Sequence, residues 1–179
     1  MEGQNMYEYV VSPAKQPVWR LKRTLAIIGY IIYAGTVFGI GAYTRLLLPV
    51  MALVPLSTWI LIFFTWRYVA VEYEYSFVSG TMTLSKILGG RARKKVLEIR
   101  IKDLHTIAPY DGDYIKKAEE FQPEKSYDFV SSMQSPDIYY ALFETPEGRR
   151  GIIYFEATKA ALKILRYYNS DTVLADVRY

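Results

Sequence analysis

From Thr24 to Trp66 the chain is apolar almost without a break, and Arg45 is the one charged residue in the run. A core helix does not need so long a run, and a membrane crossing needs about 20 apolar residues. Division at Arg45 gives two stretches of that length, Thr24–Thr44 and Leu46–Trp66. They predict a helical hairpin that crosses a membrane twice, with Pro55 kinking the second helix. A re-entrant hairpin would instead hold Arg45 near mid-bilayer, at a cost of about 2.5–3.5 kcal/mol.

After Arg67 the period changes to two. Val69, Val71, Tyr73, Tyr75 and Phe77 alternate with small or acidic residues, which reads as a strand with one dry face. Ser79-Gly80 reads as a hairpin turn, Thr81–Ile87 as the second strand and Gly89-Gly90 as the next turn. Arg93–Ile101 and Leu104–Pro109 follow as strands. Asp111–Ser126 interrupts the meander with a short helix expected at Tyr114–Phe121. Strands resume at Tyr127–Ser131, Ile138–Glu144 and, beyond a turn at Pro146-Glu147-Gly148, at Arg149–Phe155. That makes about seven antiparallel strands. A helix at Ala157–Tyr168 closes the series, with Ala157, Ala160, Ala161, Ile164 and Tyr168 on one face, Thr158 as candidate cap and Asn169 as stop. The tail, Ser170–Tyr179, either adds a short strand or stays loose. Ahead of the hairpin, Tyr7, Tyr9, Val10 and Val11 form a short strand or lie on the membrane, and Pro13 and Pro17 exclude a helix through them.

The expected organisation is an arm (1–23), a transmembrane hairpin (24–66) and one soluble domain (67–179). Charge orients it. Lys15, Arg20, Lys22 and Arg23 precede the first span and Arg67 follows the second, with Arg45 alone on the other side. Positive residues favour the cytoplasm, so both termini are expected there and the protein in the cytoplasmic membrane. The apolar run is too long for a signal peptide. The pI of 9.1 comes mostly from the arm and hairpin and is a topology signal. With no helix-turn-helix pattern and no RNA-binding aromatic motif, no nucleic-acid partner is expected.

Cysteine is absent, which removes disulfides, thiolate nucleophiles and cysteine metal sites. His105 is the one histidine and has no companion ligands. Asp111-Gly112-Asp113 with Glu119 and Glu120 has the look of a calcium loop, but Ile115 and Lys116 stand where that loop needs an oxygen ligand and a glycine. No nucleophile triad, phosphate-binding glycine loop or catalytic carboxylate pair is present in the pattern. Catalytic residues, metal and cofactor are therefore expected to be none, and the chain is not expected to be an enzyme.

Two features carry binding. Gly35 and Gly39 form a small-xxx-small pair that serves either packing on the second span or a seam between two copies, a homo-oligomer. Lys86, Arg91, Arg93, Lys94 and Lys95 form a basic cluster around the second turn. The first strand leaves the membrane at Arg67, so the second must return toward it and bring Gly89-Gly90 to headgroup height, where anionic lipid attracts the cluster. The cluster resembles the inositol-lipid pattern of eukaryotic pleckstrin-homology (PH) domains, displaced from the first hairpin to the second. Thr81–Tyr110 holds seven basic and two acidic residues, and Asp111–Glu147 three and nine, so the domain is expected to carry a charge dipole.

Seven strands closed by an amphipathic helix is the count of a PH-like barrel. The stretch from Tyr73-Glu74-Tyr75-Ser76-Phe77 through Ser79-Gly80, Arg91-Ala92-Arg93-Lys94-Lys95 and Ile107-Ala108-Pro109-Tyr110 is similar to bacterial PH-like membrane proteins, in particular a small uncharacterised two-span family. The resemblance implies the fold and the topology but no chemistry. The expected role is a non-catalytic protein-interaction or assembly module at the cytoplasmic membrane face, with lipid and an unnamed protein as partners. The alternatives are an anionic-lipid sensor and a regulatory subunit of a membrane enzyme complex.

Overall fold

The computed structural model describes residues 6–13, 17–145 and 147–174, without the Asp113 side chain. The expectations for Lys15, for Pro146 in its turn and for the tail beyond Leu174 lie outside the described residues.

Strand β1 (Tyr7–Val11) is followed by two long helices, α1 (Pro17–Tyr43) and α2 (Leu47–Thr65), and a 3-10 turn at Trp66–Tyr68. Both helices are long and apolar enough to cross a membrane. The core helix of a soluble protein meets the same measure but buries its apolar side chains. Only 6% of the apolar window of each helix is buried here. α1 starts earlier than expected, so Trp19, Arg20, Lys22 and Arg23 belong to its first two turns. Arg45 takes the left-handed conformation (φ 59°) that ends α1, and Leu46 N–H closes back on the Gly41 carbonyl at 2.9 Å.

The remainder is β2 (Val71–Val78), β3 (Thr81–Leu88), β4 (Ala92–Arg100), β5 (Leu104–Pro109), α3 (Gly112–Glu120), β6 (Lys125–Phe129), β7 (Ile138–Glu144), β8 (Arg150–Glu156) and α4 (Lys159–Tyr168). There are eight described strands rather than seven. They form two four-stranded sheets, ordered β1-β2-β3-β4 and β5-β7-β8-β6, and not a closed barrel. The added strand is β1. Tyr7, Tyr9 and Val11 alternate with Glu8 and Val10 and pair with Phe77, Tyr75 and Tyr73 of β2. One pairing is parallel, β6 with β8, because the long link between β6 and β7 lets the chain cross to the far side of β8.

Tyr73, Tyr75, Phe77, Met82 and Leu84 of the first sheet meet Leu104, Ile107, Phe129, Phe143, Ile153 and Phe155 of the second. Each fully buried side chain of this kind contributes about 1.5–3 kcal/mol. α4 crosses the end of this core that lies away from α1 and α2. Thr158 Oγ1 accepts from Ala161 N–H at 3.2 Å, the expected cap, and bonds with Tyr7 Oη at 2.8 Å. At the other end of α4, Tyr168 packs on Gly80, and Asn169 Nδ2 donates to the Ile101 and Leu104 carbonyls at 3.0 Å each. The buried face of α4 is Ala161, Leu162 and Leu165, rotated from the expected one, with Ile164 and Tyr168 at its margin. The tail adds a bridge, Val173 beside Ile107.

Candidate functional site

The pairing of β1 with β2 determines where the domain can sit. β1 precedes the helical pair and β2 follows it, yet every residue of β1 pairs with β2. The two helices run out and back, so the chain returns to the end it left, which this pairing requires. Only Val69 and Ala70 separate the 3-10 turn from β2, so the first sheet begins directly at the end of α2.

The β3–β4 turn is fastened to that same junction. Gly89 N–H donates to the Ala70 carbonyl at 2.6 Å. Gly89 has φ 63°, and a Cβ there would lie 3.0 Å from Arg67 Cα, so a glycine lets the turn approach the helix end closely. Arg91, the last residue of the turn, lays its guanidinium over the Phe63 ring of α2 at 4.4 Å. Arg67 stacks on Tyr68 at 4.9 Å. Between them is a cleft of about 110 Å³, walled by Trp59, Ile62, Phe63 and Trp66.

The five basic residues singled out above do not act as one patch. A bulge between Leu84 and Ser85 shifts the register, after which Lys86 faces Lys94 and Ser85 faces Lys95. Lys86 and Lys94 therefore lie on the side that carries Tyr73, and Arg93 and Lys95 on the opposite face. Lys86 Nζ sits 5.6 Å from the Tyr73 ring centre and 5.5 Å from that of Phe129. Arg93 pairs with Glu74 at 2.9 Å, and Lys95 pairs with Glu98. Lys94 is exposed. Arg91 alone of the five joins the cleft at α2. Arg67, Trp59, Phe63 and Trp66 were missed as a site. Their sequence signal is the spacing of Trp59 and Phe63, and of Ile62 and Trp66, four residues apart on one helix face just before a charge.

A Cβ added at Gly35 or Gly39 would meet no atom beyond its own helix backbone within 4 Å. The close helix contact falls on Gly41, where a Cβ would collide with Val50 at 2.6 Å, and Tyr30 Oη bonds with Thr65 Oγ1 at 2.5 Å near the other end. His105 is exposed, 6.4 Å from the Phe121 ring. Among the described residues no cluster of His, Asp and Glu has the make-up of a metal site.

A second cleft of about 290 Å³ opens beside β6 and β8, lined by Glu124, Lys125, Tyr127, Phe143, Arg149 and Arg150 among others. The tyrosines inside the domain are held as neutral donors. Burial above all, with Tyr75, Tyr7 and Glu156 adding to it, pushes the Tyr9 hydroxyl far above its ordinary 10.0. Burial raises Tyr75 likewise, and burial with neighbouring Tyr110 pushes Tyr154 up to about 12.

Two apolar helices set between the first two strands of a two-sheet domain, closed by a C-terminal helix, match one family along nearly the whole chain. The family described as Bacterial PH-like domain (DUF6106) matches residues 4–175. The chain belongs to this family. No curated protein and no solved structure matches it. The match spans α1 and α2 as well as the β domain.

Proposed function

We propose that this PH-like protein is a membrane-anchored, non-catalytic module that binds or assembles protein partners at the cytoplasmic face. The observation that carries the reading is the β1–β2 pairing across the helical pair. A domain on a flexible linker samples many heights and orientations. Here two strands and the Gly89–Ala70 hydrogen bond hold one sheet at the end of α2, which suits a platform that presents a fixed surface. Arg20, Lys22, Arg23 and Arg67 at the domain end of the helices, against Arg45 at the loop, favour a cytoplasmic domain.

Topology is tested with a reporter fused after Tyr179 and with Thr44→Cys, which would be the chain's single thiol. The reporter should be cytoplasmic, and Cys at 44 should react with an impermeant reagent from outside the cell. A C-terminus outside, with labelling of position 44 only after lysis, refutes the orientation. Purification of the full chain in nanodiscs, with mass spectrometry, should then return one protein in fixed stoichiometry. Lipid alone would replace the assembly reading with a lipid-sensing one.

A further inference from the structure

We infer that the cleft between the end of α2 and the β3–β4 turn holds an anionic phospholipid, its phosphate on Arg67 and Arg91 and an acyl chain along Phe63 and Trp59. The inference rests on the anchoring reading and goes beyond it by naming a ligand class and its residues.

Depth comes first. From Leu46 to Trp66 the chain carries no charge, so Arg67 is the first residue of that crossing able to meet a headgroup. Arg91 belongs to a different element, and the Gly89 contact with Ala70 and Arg67 brings it to the same height. The second point is availability. Arg93, Lys95 and Arg100 are each paired with a carboxylate, whereas among the described residues Arg67 and Arg91 have aromatic faces as partners and no acid. A guanidinium over a ring keeps its N–H edge free, and that edge fits two phosphate oxygens at once.

The third point is the lower wall. Trp59 is 63% and Phe63 44% exposed within the chain, with ring centres 5.7 Å apart. Trp59 lies eight residues before Arg67, about 12 Å along the helix axis. That is the depth of the upper acyl chain when Arg67 sits at the phosphate. A phosphoryl oxygen is the shared chemistry of a lipid headgroup and of free phosphate, but free phosphate has no use for this apolar wall. An acidic peptide would leave it equally unused.

The test uses the full chain in nanodiscs of phosphatidylcholine doped with phosphatidylglycerol, with native mass spectrometry counting the retained lipid. Phosphatidylglycerol should be preferred, and Arg67→Gln and Arg91→Gln should each lower the preference by about fivefold. Lys94→Gln, an exposed charge of the same turn region, should leave it unchanged. Trp59→Ala should speed lipid exchange while the arginine dependence persists. Three results overturn the assignment: no preference in a chain that stays in the bilayer, an equal loss for Lys94→Gln and Arg91→Gln, or displacement of the lipid by inorganic phosphate. If alkaline carbonate extracts the chain from membranes, the anchoring reading fails and the lipid site with it.

Discussion

The two sheets solve the same problem differently. β1 to β4 bury one face and leave the other polar, with Glu8, Ser76, Thr83, Lys95 and Glu98 outward. β5, β7 and β8 bury both. Their inner face meets the first sheet, and their outer face carries Ala108, Tyr140, Leu142 and Ile152 against Ala118 of α3. The sequence differs to match, with strict alternation in β2 and nearly continuous apolar runs in β7 and β8. Of the two outer faces, the open one belongs to the sheet joined to the helices.

The largest test of this contrast is a pair of outward substitutions. Ile152 is 1% exposed beneath α3, so Ile152→Ala should cost about 2–5 kcal/mol. Thr83→Ala, outward on β3, should stay within about 0.5 kcal/mol. Chemical denaturation of the full chain in mild detergent, followed by circular dichroism, measures both. Comparable losses would show that the outer face of the first sheet is covered as well.

The contrast was legible in part. The alternation from Val71 to Phe77 reads directly as a one-faced strand, and so do the turns at Ser79-Gly80 and Gly89-Gly90. The runs at Ile138–Phe143 and Gly151–Phe155 read as strands, but an apolar run does not say what covers its second face. α3 reads as a short helix in an acidic loop, and Ala118 within it gives no signal that the helix is a lid. Direction was hidden too, since Lys125–Phe129 alternates identically in a parallel or an antiparallel ladder. The basic cluster was legible as composition and not as a site. Alternation and a bulge at Ser85 divide it between two faces, and the residue that joins Arg91 in the cleft lies on another element.

An intermediate effect is expected where the two sheets are bolted together. Tyr75 Oη of β2 donates to the Phe129 carbonyl of β6, and Tyr9 Oη of β1 donates to the Glu156 carbonyl of β8 at 2.5 Å. Tyr75→Phe removes this buried hydrogen bond and should cost about 1–3 kcal/mol. The same tyrosines give the domain an alkaline limit. Their folded hydroxyls are raised above the ordinary 10.0 by burial, so above that pH the unfolded chain binds fewer protons than the folded one. Stability is then full below about pH 10 and falls as pH rises beyond it. Tyr75→Phe should make that fall shallower, and an unchanged slope would remove Tyr75 from its cause.

The smallest effect is the most discriminating about the open face. Glu74 and its cross-strand partner Ser85 are the exceptions on it, 5% and 8% exposed although they point away from the core, and the Glu74 carboxylate meets Arg93, whose side chain is 64% exposed. A carboxylate buried beneath other protein would lose about 3–5 kcal/mol of stability when its partner is removed. A pair with one member in solvent is screened, and contributes about 0–1 kcal/mol. If the first sheet's outer face is open, Glu74→Gln and Arg93→Gln should each cost less than about 1 kcal/mol. Added salt should close the gap to the wild type, because mobile ions screen what solvent already reaches. A loss of several kcal/mol for Arg93→Gln, insensitive to salt, would mean that Glu74 is sealed from water, and the two sheets would then differ in sequence pattern but not in exposure.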